Sequence, residues 1–416
     1  MIPVRFDEIA RLQLGDLVGD GEITGIKADS REVGPGDLFV ALNTGVRHVD
    51  EARARGAATL VPDDQDRALA EIALLVRLRS DAQVVAVVGS AGKTTTKDIL
   101  GALCAPHAST IWAEKSLNNE IGLPLTVCRL EPDTEILIAE MGMRGAGQIS
   151  QLCGIAHPSI VVIPHIGPEH LELLGSVERV AEANAEAIAW LPKGGTAVVP
   201  AVAEALEPFL VRDDIAIRRI RSEDVMRNGA TRFTLGDTVV ELELPFTQRH
   251  LAMNTLAALH AYDGLGLPLD RAQEGVAGIR LSPWRGEEIA LPEGGFVVND
   301  AYNANPDSMR AALEHLAERA GDRRRIAVLG EMAELGDASE TYHREIGALA
   351  ADLEIEVIGV GEPARAYEPV AWAPTADEAL DLARGLIEPG DAVLVKASRA
   401  VGLEGFADEI ANFARA

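Results

Sequence analysis

The segment VVAVVGSAGKTTTKDIL, residues 84–100, constrains the fold of this chain more than any other. It begins with an apolar run typical of a buried strand, continues through a loop of small residues and ends in a helical pattern. Such a loop lets backbone N–H groups converge on an anion, with the positive end of the helix behind them. The segment therefore predicts an α/β domain with a phosphate-binding loop.

The residues of this loop indicate which anion it binds. Its turn consists of small residues, namely Gly89, Ser90, Ala91 and Gly92. Lys93 can reach terminal phosphates, and Thr94 supplies the hydroxyl that Mg²⁺ takes in phosphate-binding loops. The strict pattern G-x-x-x-x-G-K-[ST] is not met, because Val87 stands where the first glycine belongs. A chance turn of small residues is the alternative, but the strand before it and the helix after it favour ATP binding.

The order of predicted elements divides the chain into three α/β domains. Short β-like runs alternate with longer helical patterns, which predicts parallel sheets covered by helices. We place the domains at residues 1–82, 83–287 and 288–416. TEILIAE, SIVVIPHIG and GGTAVVP predict further strands in the central domain, and GGFVVND, RRIAVLG, IEVIGVG and DAVLVKAS predict those of the third. In the first domain the turn GPGD joins two strand-like segments.

Charge and composition argue against several classes of protein. The 38 basic and 65 acidic side chains give a formal net charge of −27, which repels polyanions, so we expect no nucleic-acid partner. No apolar run reaches the roughly 18–20 residues of a membrane helix, and MIPVRFDEIARL lacks a signal-peptide pattern, so we expect no membrane insertion and a cytoplasmic location. Cys104, Cys128 and Cys153 lack CxxC spacing, which predicts buried apolar residues rather than disulfides or a zinc site.

Two residues of the central domain are candidate metal ligands. Glu140 ends the apolar run TEILIAE, and sheets of this class keep their sites at the carboxyl ends of strands. Its carboxylate could hold Mg²⁺ opposite Thr94. His170, in HIGPEHLELLGS, also follows a strand end. The alternatives are a solvated glutamate and an exposed histidine, and we expect His343, in ETYHREIG, to lie on a helix surface.

Six segments, in order through the second and third domains, resemble the Mur ligases. They are VVGSAGKTTTKD, LNNEIGLPLT, EMGMRGAGQI, NDAYNANPDSMRAAL, LGEMAELG and VKASRAVGLE. DAYNANPDSM is most similar to the branch of that family that adds D-alanyl-D-alanine. The resemblance implies an N-terminal domain that binds a UDP-sugar peptide, a central P-loop ATPase domain and a C-terminal Rossmann-like domain that closes over the site.

The resemblance also implies an activity. A Mur ligase of this branch forms an amide bond in peptidoglycan precursor synthesis, using ATP and Mg²⁺. The γ-phosphate passes to the carboxylate of UDP-MurNAc-tripeptide, the amine of D-Ala-D-Ala attacks the acyl phosphate, and phosphate leaves. Because carboxylate and triphosphate repel each other, Lys93 and the metal must neutralise charge at the transferring group. We expect a monomer whose partners are these small molecules.

The resemblance assigns roles to individual residues. The implied nucleotide-binding residues are Gly89, Ser90, Ala91, Gly92, Lys93, Thr94, Thr95, Asn119, His250, Asn254, Arg285, Asp300, Asn303, Asn305 and Pro306. The implied metal ligands are Thr94, Glu140 and His170, and the substrate-binding residues are Ser30, Arg31, Lys396, Ser398 and Arg399. Lys93, Glu140, His170 and Asn184 occupy the catalytic positions. YNANP as a simple turn, and Arg285 and Arg399 as surface charges, are the alternatives.

The chain departs from the family pattern in two places. The segment NTGVRHVDEARARGAA is shorter than the family's loop and lacks its Asp-Gly-His. Asn184, in AEANAEAI, stands where the family has a lysine that is carbamoylated and binds magnesium. If Asn184 faces the site, it offers only a neutral amide oxygen, a weaker ligand. Two hypotheses therefore stay open: a working ligase of this branch, or a divergent paralogue that ligates another acid and amine or only binds nucleotide.

Overall fold

The computed structural model describes residues 1–113 and 116–415. The N-terminal region contains a small mixed sheet and a two-stranded ribbon. Its strands are β1 (Val4–Arg5), β2 (Gly15–Val18), β3 (Glu22–Ile23), β4 (Gly25–Lys27), β5 (Asp37–Val40) and β6 (Ala58–Pro62), and its helices are α1 (Phe6–Arg11), α2 (Val49–Ala54) and α3 (Gln65–Arg77). The sheet order is β2-β6-β5-β4, and β1 pairs with β3.

The central region is built on a six-stranded sheet of order β12-β11-β10-β7-β9-β8, in which every pair is parallel. Its strands are β7 (Gln83–Val87), β8 (Thr110–Trp112), β9 (Ile136–Glu140), β10 (Ile160–Val162), β11 (Thr196–Pro200) and β12 (Ala216–Ile220). Its helices are α4 (Lys93–Cys104), α5 (Gly122–Val127), α6 (Gln148–Ala156), α7 (Leu171–Leu174), α8 (Val177–Ala189), α9 (Arg249–Gly264) and α10 (Gln273–Val276). A buried parallel sheet explains the continuous apolar runs.

A separate antiparallel sheet lies between β12 and α9. It contains β13 (Val225–Asn228), β14 (Ala230–Leu235) and β15 (Thr238–Leu242). Gly229 and Gly236 adopt φ of +87° and +61° in the two turns, a conformation that glycine tolerates without a steric penalty. Phe233 and Leu242 of this sheet belong to the same buried cluster as Leu256 of α9, so the sheet extends the core of the central region.

The C-terminal region contains a second six-stranded sheet of order β16-β17-β21-β18-β19-β20, in which only β16 is antiparallel to its neighbour. Its strands are β16 (Glu287–Ala290), β17 (Phe296–Asn299), β18 (Arg325–Leu329), β19 (Ile355–Val360), β20 (Ala371–Ala373) and β21 (Ala392–Lys396). Its helices are α11 (Pro306–Ala320), α12 (Ser339–Asp352), α13 (Ala376–Leu386) and α14 (Phe406–Ala414). The predicted strands of both large sheets are confirmed.

Helix α3 connects the first two regions. Asp64 caps its amino end by accepting hydrogen bonds from the backbone of Asp66 and Arg67. Its apolar face, which includes Leu69 and Ile72, shares one buried cluster with residues of the central sheet. The first predicted domain is therefore not isolated from the second, and the boundaries at residues 82 and 287 stay predictions.

The three cysteines are buried and free, as predicted. Burial raises the pKa of each thiol to about 12, so all three are inert at neutral pH. Within the described residues, no helix is both long enough and apolar enough to cross a membrane.

Candidate active site

A cavity of about 750 Å³ lies between the central and C-terminal regions. It opens at the carboxyl ends of β7, β9, β17 and β21, where parallel sheets of this class carry their sites. Many predicted site residues line it, namely Ser90, Ala91, Gly92, Lys93, Thr94, Thr95, Asn119, Glu140, His170, His250, Asn254, Arg285, Asp300, Asn303, Asn305 and Lys396. The structure thus brings together residues that are up to about 300 positions apart in the sequence.

Two glycines make the tight turn between β7 and α4 possible. Gly89 and Gly92 have φ of +119° and +79°, values that other residues rarely adopt. A Cβ at Gly89 would lie 2.8 Å from the carbonyl oxygen of His165, and one at Gly92 would lie 2.5 Å from Oδ1 of Asn254. Neither position has room for a side chain, so the loop packs closely on its neighbours.

Hydrogen bonds to the segment between β10 and α7 hold this loop in place. The backbone N–H of Ser90 donates to the carbonyl of His165 at 2.9 Å. The Ser90 hydroxyl donates to the carbonyl of Gly167 and accepts from its N–H, both at 3.0 Å. Ser90 is 3 % exposed, so these bonds are shielded from water. The phosphate loop is therefore positioned before any ligand binds.

Asn184 supports the same loop, which corrects the expectation of a metal-facing residue. Its Oδ1 accepts a hydrogen bond from the N–H of Gly89 at 2.6 Å, and its Nδ2 donates to the carbonyl of Val180 at 2.8 Å. The side chain is 1 % exposed and does not line the cavity. Both polar atoms are thus used within the protein, because a short amide on α8 reaches the loop backbone and no further.

Lys93 begins α4 and folds over the loop. Its Nζ donates to the carbonyl of Gly89 at 2.5 Å and lies 3.5 Å from Oε2 of Glu169. Glu169 is 8 % exposed and also lines the cavity. Because Lys93 lines the cavity, its ammonium can turn from these partners towards a phosphate group.

Thr94 and Glu140 are in direct contact, as the magnesium hypothesis requires. The Thr94 hydroxyl donates to Oε1 of Glu140 at 3.0 Å, and Nδ2 of Asn118 donates to the same oxygen at 2.8 Å. Oε2 of Glu140 is buried and has no hydrogen-bond partner. An unsatisfied carboxylate oxygen is costly unless it binds something, and a hard dication is a suitable partner. These residues therefore fit Mg²⁺.

His170 lies at the end of the β10–α7 segment and contacts both regions. Its Nδ1 is hydrogen-bonded to a carboxylate oxygen of Glu334, and its Nε2 lies 3.7 Å from Oε1 of Glu169. Within the described residues no three His, Cys, Asp or Glu side chains are gathered closely enough to form a metal cluster. Mg²⁺ commonly takes only one or two carboxylates together with phosphate oxygens and water, so it does not need such a cluster.

Arg285 extends from the segment before β16 towards the loop. Its Nη2 donates to Thr94 Oγ1 at 3.0 Å and to Ser116 Oγ at 3.2 Å, and its guanidinium lies 3.9 Å from the centre of the Tyr302 ring. Its Nε is buried without a partner. Arg285 is therefore not a surface charge. Its guanidinium lies beside the phosphate loop, where it can contact a phosphoryl group that is being transferred.

The C-terminal wall of the cavity contains a buried ion pair. Lys396 ends β21, and its Nζ donates to Oδ2 of Asp300 at 2.6 Å and to the carbonyl of Asn303 at 2.9 Å. Asn305 caps α11 by accepting from the N–H of Ser308 at 2.9 Å. Its Nδ2 donates across the cavity to the Ser90 carbonyl at 3.4 Å. The segment YNANP is thus more than a turn, because it also contacts the phosphate loop.

His250, near the start of α9, faces this ion pair. Burial lowers its pKa to about 4, an effect opposed by Asp300 and reinforced by Lys396. The ring is therefore neutral at pH 7, and it can hydrogen-bond a nucleotide without adding charge.

Several predicted residues lie away from the cavity or have other contacts. Ser30 donates to Glu51, and Arg31 pairs with Asp29 on the exposed surface of the N-terminal region. Ser398 accepts from the N–H of Ala333 behind the cavity wall. Pro306, Ser398 and Arg399 are not among the lining residues. Their roles in binding stay predictions.

The expectation for His343 is wrong. Its side chain is fully buried, its Nε2 accepts from the N–H of Met332 at 3.0 Å, and its Nδ1 contacts the carbonyl of Ser339 at 2.7 Å. The ring packs against Tyr367 in the core of the C-terminal region. The residues next to His343 in the sequence are polar, so the sequence did not indicate that this face of α12 packs inward.

Sequence reasoning missed four residues at the boundary of the two regions. They are His165, Glu169, Asp307 and Glu334, which make contacts with one another or with predicted site residues. Nε2 of His165 lies 2.8 Å from Oδ2 of Asp307. A signal existed for Glu169 and His165, because both lie in the same strand-end segment as His170. No pattern in the sequence could pair His165 with Asp307, which is 142 positions away.

Comparisons with known proteins agree with this geometry. The family described as "Mur ligase middle domain" matches residues 87–262, and "Mur ligase, glutamate ligase domain" matches residues 284–399. A UDP-N-acetylmuramoyl-tripeptide--D-alanyl-D-alanine ligase of Escherichia coli (strain K12) is 31% identical, with 97% of each chain covered. The protein of the same name from Mycobacterium bovis is 34% identical, with 97% of this chain and 98% of the relative covered.

Solved structures give the same result. MurF from Acinetobacter baumannii superposes with a TM-score of 0.86 at 26% identity, covering 98% of this chain and 99% of the other. MurF ligase from Thermotoga maritima in complex with ADP superposes with a TM-score of 0.81 at 28% identity, covering 94% and 98%. The predicted architecture is confirmed, and the chain belongs to the Mur ligase family, in which it is most like MurF.

Proposed function

We propose that this chain is an ATP-dependent ligase that joins D-Ala-D-Ala to UDP-MurNAc-tripeptide in peptidoglycan precursor synthesis. The observation that carries the proposal is the single cavity in which the phosphate loop, the Thr94–Glu140 pair and Arg285 converge. Relatives of that name, aligned over nearly the whole chain, support the choice of substrates. We further propose that it acts in the cytoplasm as a monomer.

The cavity has a central wall, formed by the central region, and a C-terminal wall, formed by the C-terminal region. We assign nucleotide binding to both walls. On the central wall the loop residues 89–95 hold the phosphates, while Asn119, His250 and Asn254 border them. We also assign four residues of the C-terminal region to nucleotide binding, namely Asp300, Asn303, Asn305 and Pro306. Thr94, Glu140 and His170 would hold the magnesium ion, which supplies charge neutralisation at the transferring phosphoryl group.

Phosphoryl transfer is the first chemical step. A carboxylate oxygen of the tripeptide attacks the γ-phosphorus, the bond from the γ-phosphorus to the β,γ-bridging oxygen breaks, and ADP and an acyl phosphate result. Two anions must approach each other for this to happen, so the positive charges of Lys93 and Arg285 lower the barrier. Binding of both reactants in one cavity supplies the alignment.

Amide formation is the second step. The neutral amine of D-Ala-D-Ala attacks the acyl carbon, the carbon–oxygen bond to phosphate breaks, and inorganic phosphate leaves while the nitrogen gives up one proton. We assign the substrates to Lys396, Ser398 and Arg399 of the C-terminal region and to Ser30 and Arg31 of the N-terminal region. Lys396 supports this assignment because it lines the same cavity, where it pairs with Asp300.

The experiment that tests the proposal is phosphate release by the purified protein. With ATP and Mg²⁺, release is expected only when both UDP-MurNAc-tripeptide and D-Ala-D-Ala are present. Each substrate is omitted in turn as a control, and the joined product is measured by mass spectrometry. Release with neither substrate, or no release at all, would instead support a divergent ligase of another acid and amine or a nucleotide-binding paralogue.

A further inference from the structure

Two residues with left-handed backbone conformations meet where the central and C-terminal regions contact each other. His170 has φ of +52° and Glu334 has φ of +61°. Only a few per cent of residues other than glycine adopt such values, and they persist where the surrounding structure fixes them, often at functional sites. The backbone N–H of Glu172 donates to the carbonyl of Glu334 at 3.0 Å, so the two segments are joined by backbone as well as side chain.

The side-chain contact fixes one nitrogen of the His170 ring. Nδ1 is hydrogen-bonded to a carboxylate oxygen of Glu334. A carboxylate at Nδ1 favours the tautomer with its proton there, which leaves the lone pair of Nε2 available to a ligand. Nε2 is the nitrogen directed towards Glu169, whose carboxylate lies 3.5 Å from the Lys93 ammonium. The free nitrogen of His170 is therefore on the phosphate-loop side of the ring.

We propose that Glu334 is a positioning residue that holds Nε2 of His170 towards the nucleotide-bound metal ion. Glu334 belongs to the C-terminal region and His170 to the central region, so the metal site reaches full affinity only when the two regions are docked. The inference rests on the proposed magnesium-dependent nucleotide site. It adds to that site a residue outside the cavity lining, acting through the ring that it orients.

A second histidine–carboxylate contact across the same boundary provides a matched control. His165 and Asp307 are joined by a 2.8 Å contact, and their side chains are 42% and 37% exposed. His165 is not a proposed metal ligand, so removing the Asp307 carboxylate breaks a single contact across the boundary and leaves the His170–Glu334 contact intact. Glu340, which pairs with Arg344 on the exposed face of α12, controls for loss of a carboxylate in this region.

The experiment measures Mn²⁺ affinity by electron paramagnetic resonance, with Mn²⁺ in place of Mg²⁺ and a non-hydrolysable ATP analogue present. Glu334→Ala is expected to weaken Mn²⁺ binding by about 10- to 100-fold, the usual effect of losing a carboxylate behind a ligating histidine. Glu334→Gln, whose amide oxygen can still accept from Nδ1–H, should fall between Glu334→Ala and wild type. Asp307→Asn and Glu340→Gln should stay within about threefold of wild type.

Three results would overturn the inference. One is a Glu334→Ala affinity for Mn²⁺ equal to that of wild type. Another is an equal loss in Glu334→Ala and Asp307→Asn, because docking alone would then govern the metal. In both cases the proposed function stands. Failure of the wild-type protein to take up Mn²⁺ with the analogue would refute the magnesium site and this inference together. Circular dichroism and thermal melting verify that each variant is folded.

Discussion

The central wall of the cavity and its boundary with the C-terminal region are held in different ways. Within the central wall, buried hydrogen bonds join Gly89 to Asn184, Ser90 to Gly167 and Thr94 to Glu140. Across the boundary, the contacts include partly exposed side-chain pairs such as His165 and Asp307. Exposed pairs contribute only about 1 kcal/mol or less each, so this boundary can separate and reform. The phosphate loop is therefore already in place in the central region, whereas the complete site depends on docking of the C-terminal region.

Removing the loop charge is expected to have the largest effect. Lys93→Ala should reduce turnover by about a thousandfold or more, since no other loop residue supplies a positive charge to the transferring phosphoryl group. Thermal stability should change little, because Lys93 belongs to no core. The measurement is phosphate release together with a melting curve. Lys193→Ala, at an exposed turn lysine, is the matched control. Near-normal turnover in Lys93→Ala would remove the phosphate-loop assignment.

Glu140→Ala should act through the metal. Because Oε2 of Glu140 is buried and unpartnered, its loss should raise the Mg²⁺ concentration for half-maximal rate by at least about tenfold, and high Mg²⁺ should restore part of the rate. The rate is measured over a Mg²⁺ titration. Glu135→Gln, just before the opposite end of β9, serves as control. A defect that Mg²⁺ does not change would mark Glu140 as structural.

Gly167→Ala tests the boundary rather than the loop. A Cβ there would lie 1.8 Å from Oδ2 of Asp307, so either the Asp307 carboxylate turns away from His165 or the C-terminal region shifts. We expect the Michaelis constant for ATP to rise by roughly tenfold, since docking completes the site. Solution scattering should show less compaction with ATP analogue and UDP-MurNAc-tripeptide than wild type shows. Gly145→Ala, where a Cβ meets nothing within 4 Å, is the control. Normal compaction would mean that the boundary tolerates the methyl group.

Asn184→Ala tests whether the Asn184 side chain supports the phosphate loop. It leaves the Gly89 N–H without its acceptor, which costs about 1–3 kcal/mol in a buried position. ADP affinity, measured by calorimetry, should fall severalfold. Bicarbonate should leave the wild-type rate unchanged, since no lysine occupies this position. A bicarbonate-dependent rate, or undiminished ADP affinity in the variant, would contradict the supporting role.

The sequence predicted the parts of the molecule that depend on neighbouring residues. The strand–loop–helix at residues 84–100 and four strands of each large sheet follow from local patterns. The sheet of β13, β14 and β15 was not predicted, although Asn228-Gly229 and Gly236-Asp237 are typical hairpin turns. The contacts of His165 with Asp307 and of His170 with Glu334 join residues 142 and 164 positions apart. Such pairs depend on how two regions dock, which no local pattern encodes.

Buried histidines in the central and C-terminal cores should make the folded protein less stable at acid pH. Each core holds a buried neutral histidine, His260 in the central region and His343 in the C-terminal region, and burial lowers both pKa values, that of His260 to about 4. Because the unfolded histidine binds protons from about pH 6.5, the unfolded state gains protons first, and stability falls as pH drops from about 6.5 towards 4. Nε2 of His260 has no partner, whereas His343 accepts from Met332.

The two histidines should therefore respond differently to replacement. His260→Leu should flatten the loss of unfolding free energy between pH 6.5 and 4, by on the order of 3 kcal/mol, and cost little at pH 7 because no hydrogen bond of Nε2 is lost. His343→Leu should destabilise at pH 7 by about 1–3 kcal/mol, because the Met332 N–H is left without an acceptor. Urea unfolding over this pH range measures both. An unchanged pH dependence in His260→Leu would show that this histidine can be protonated in the folded protein.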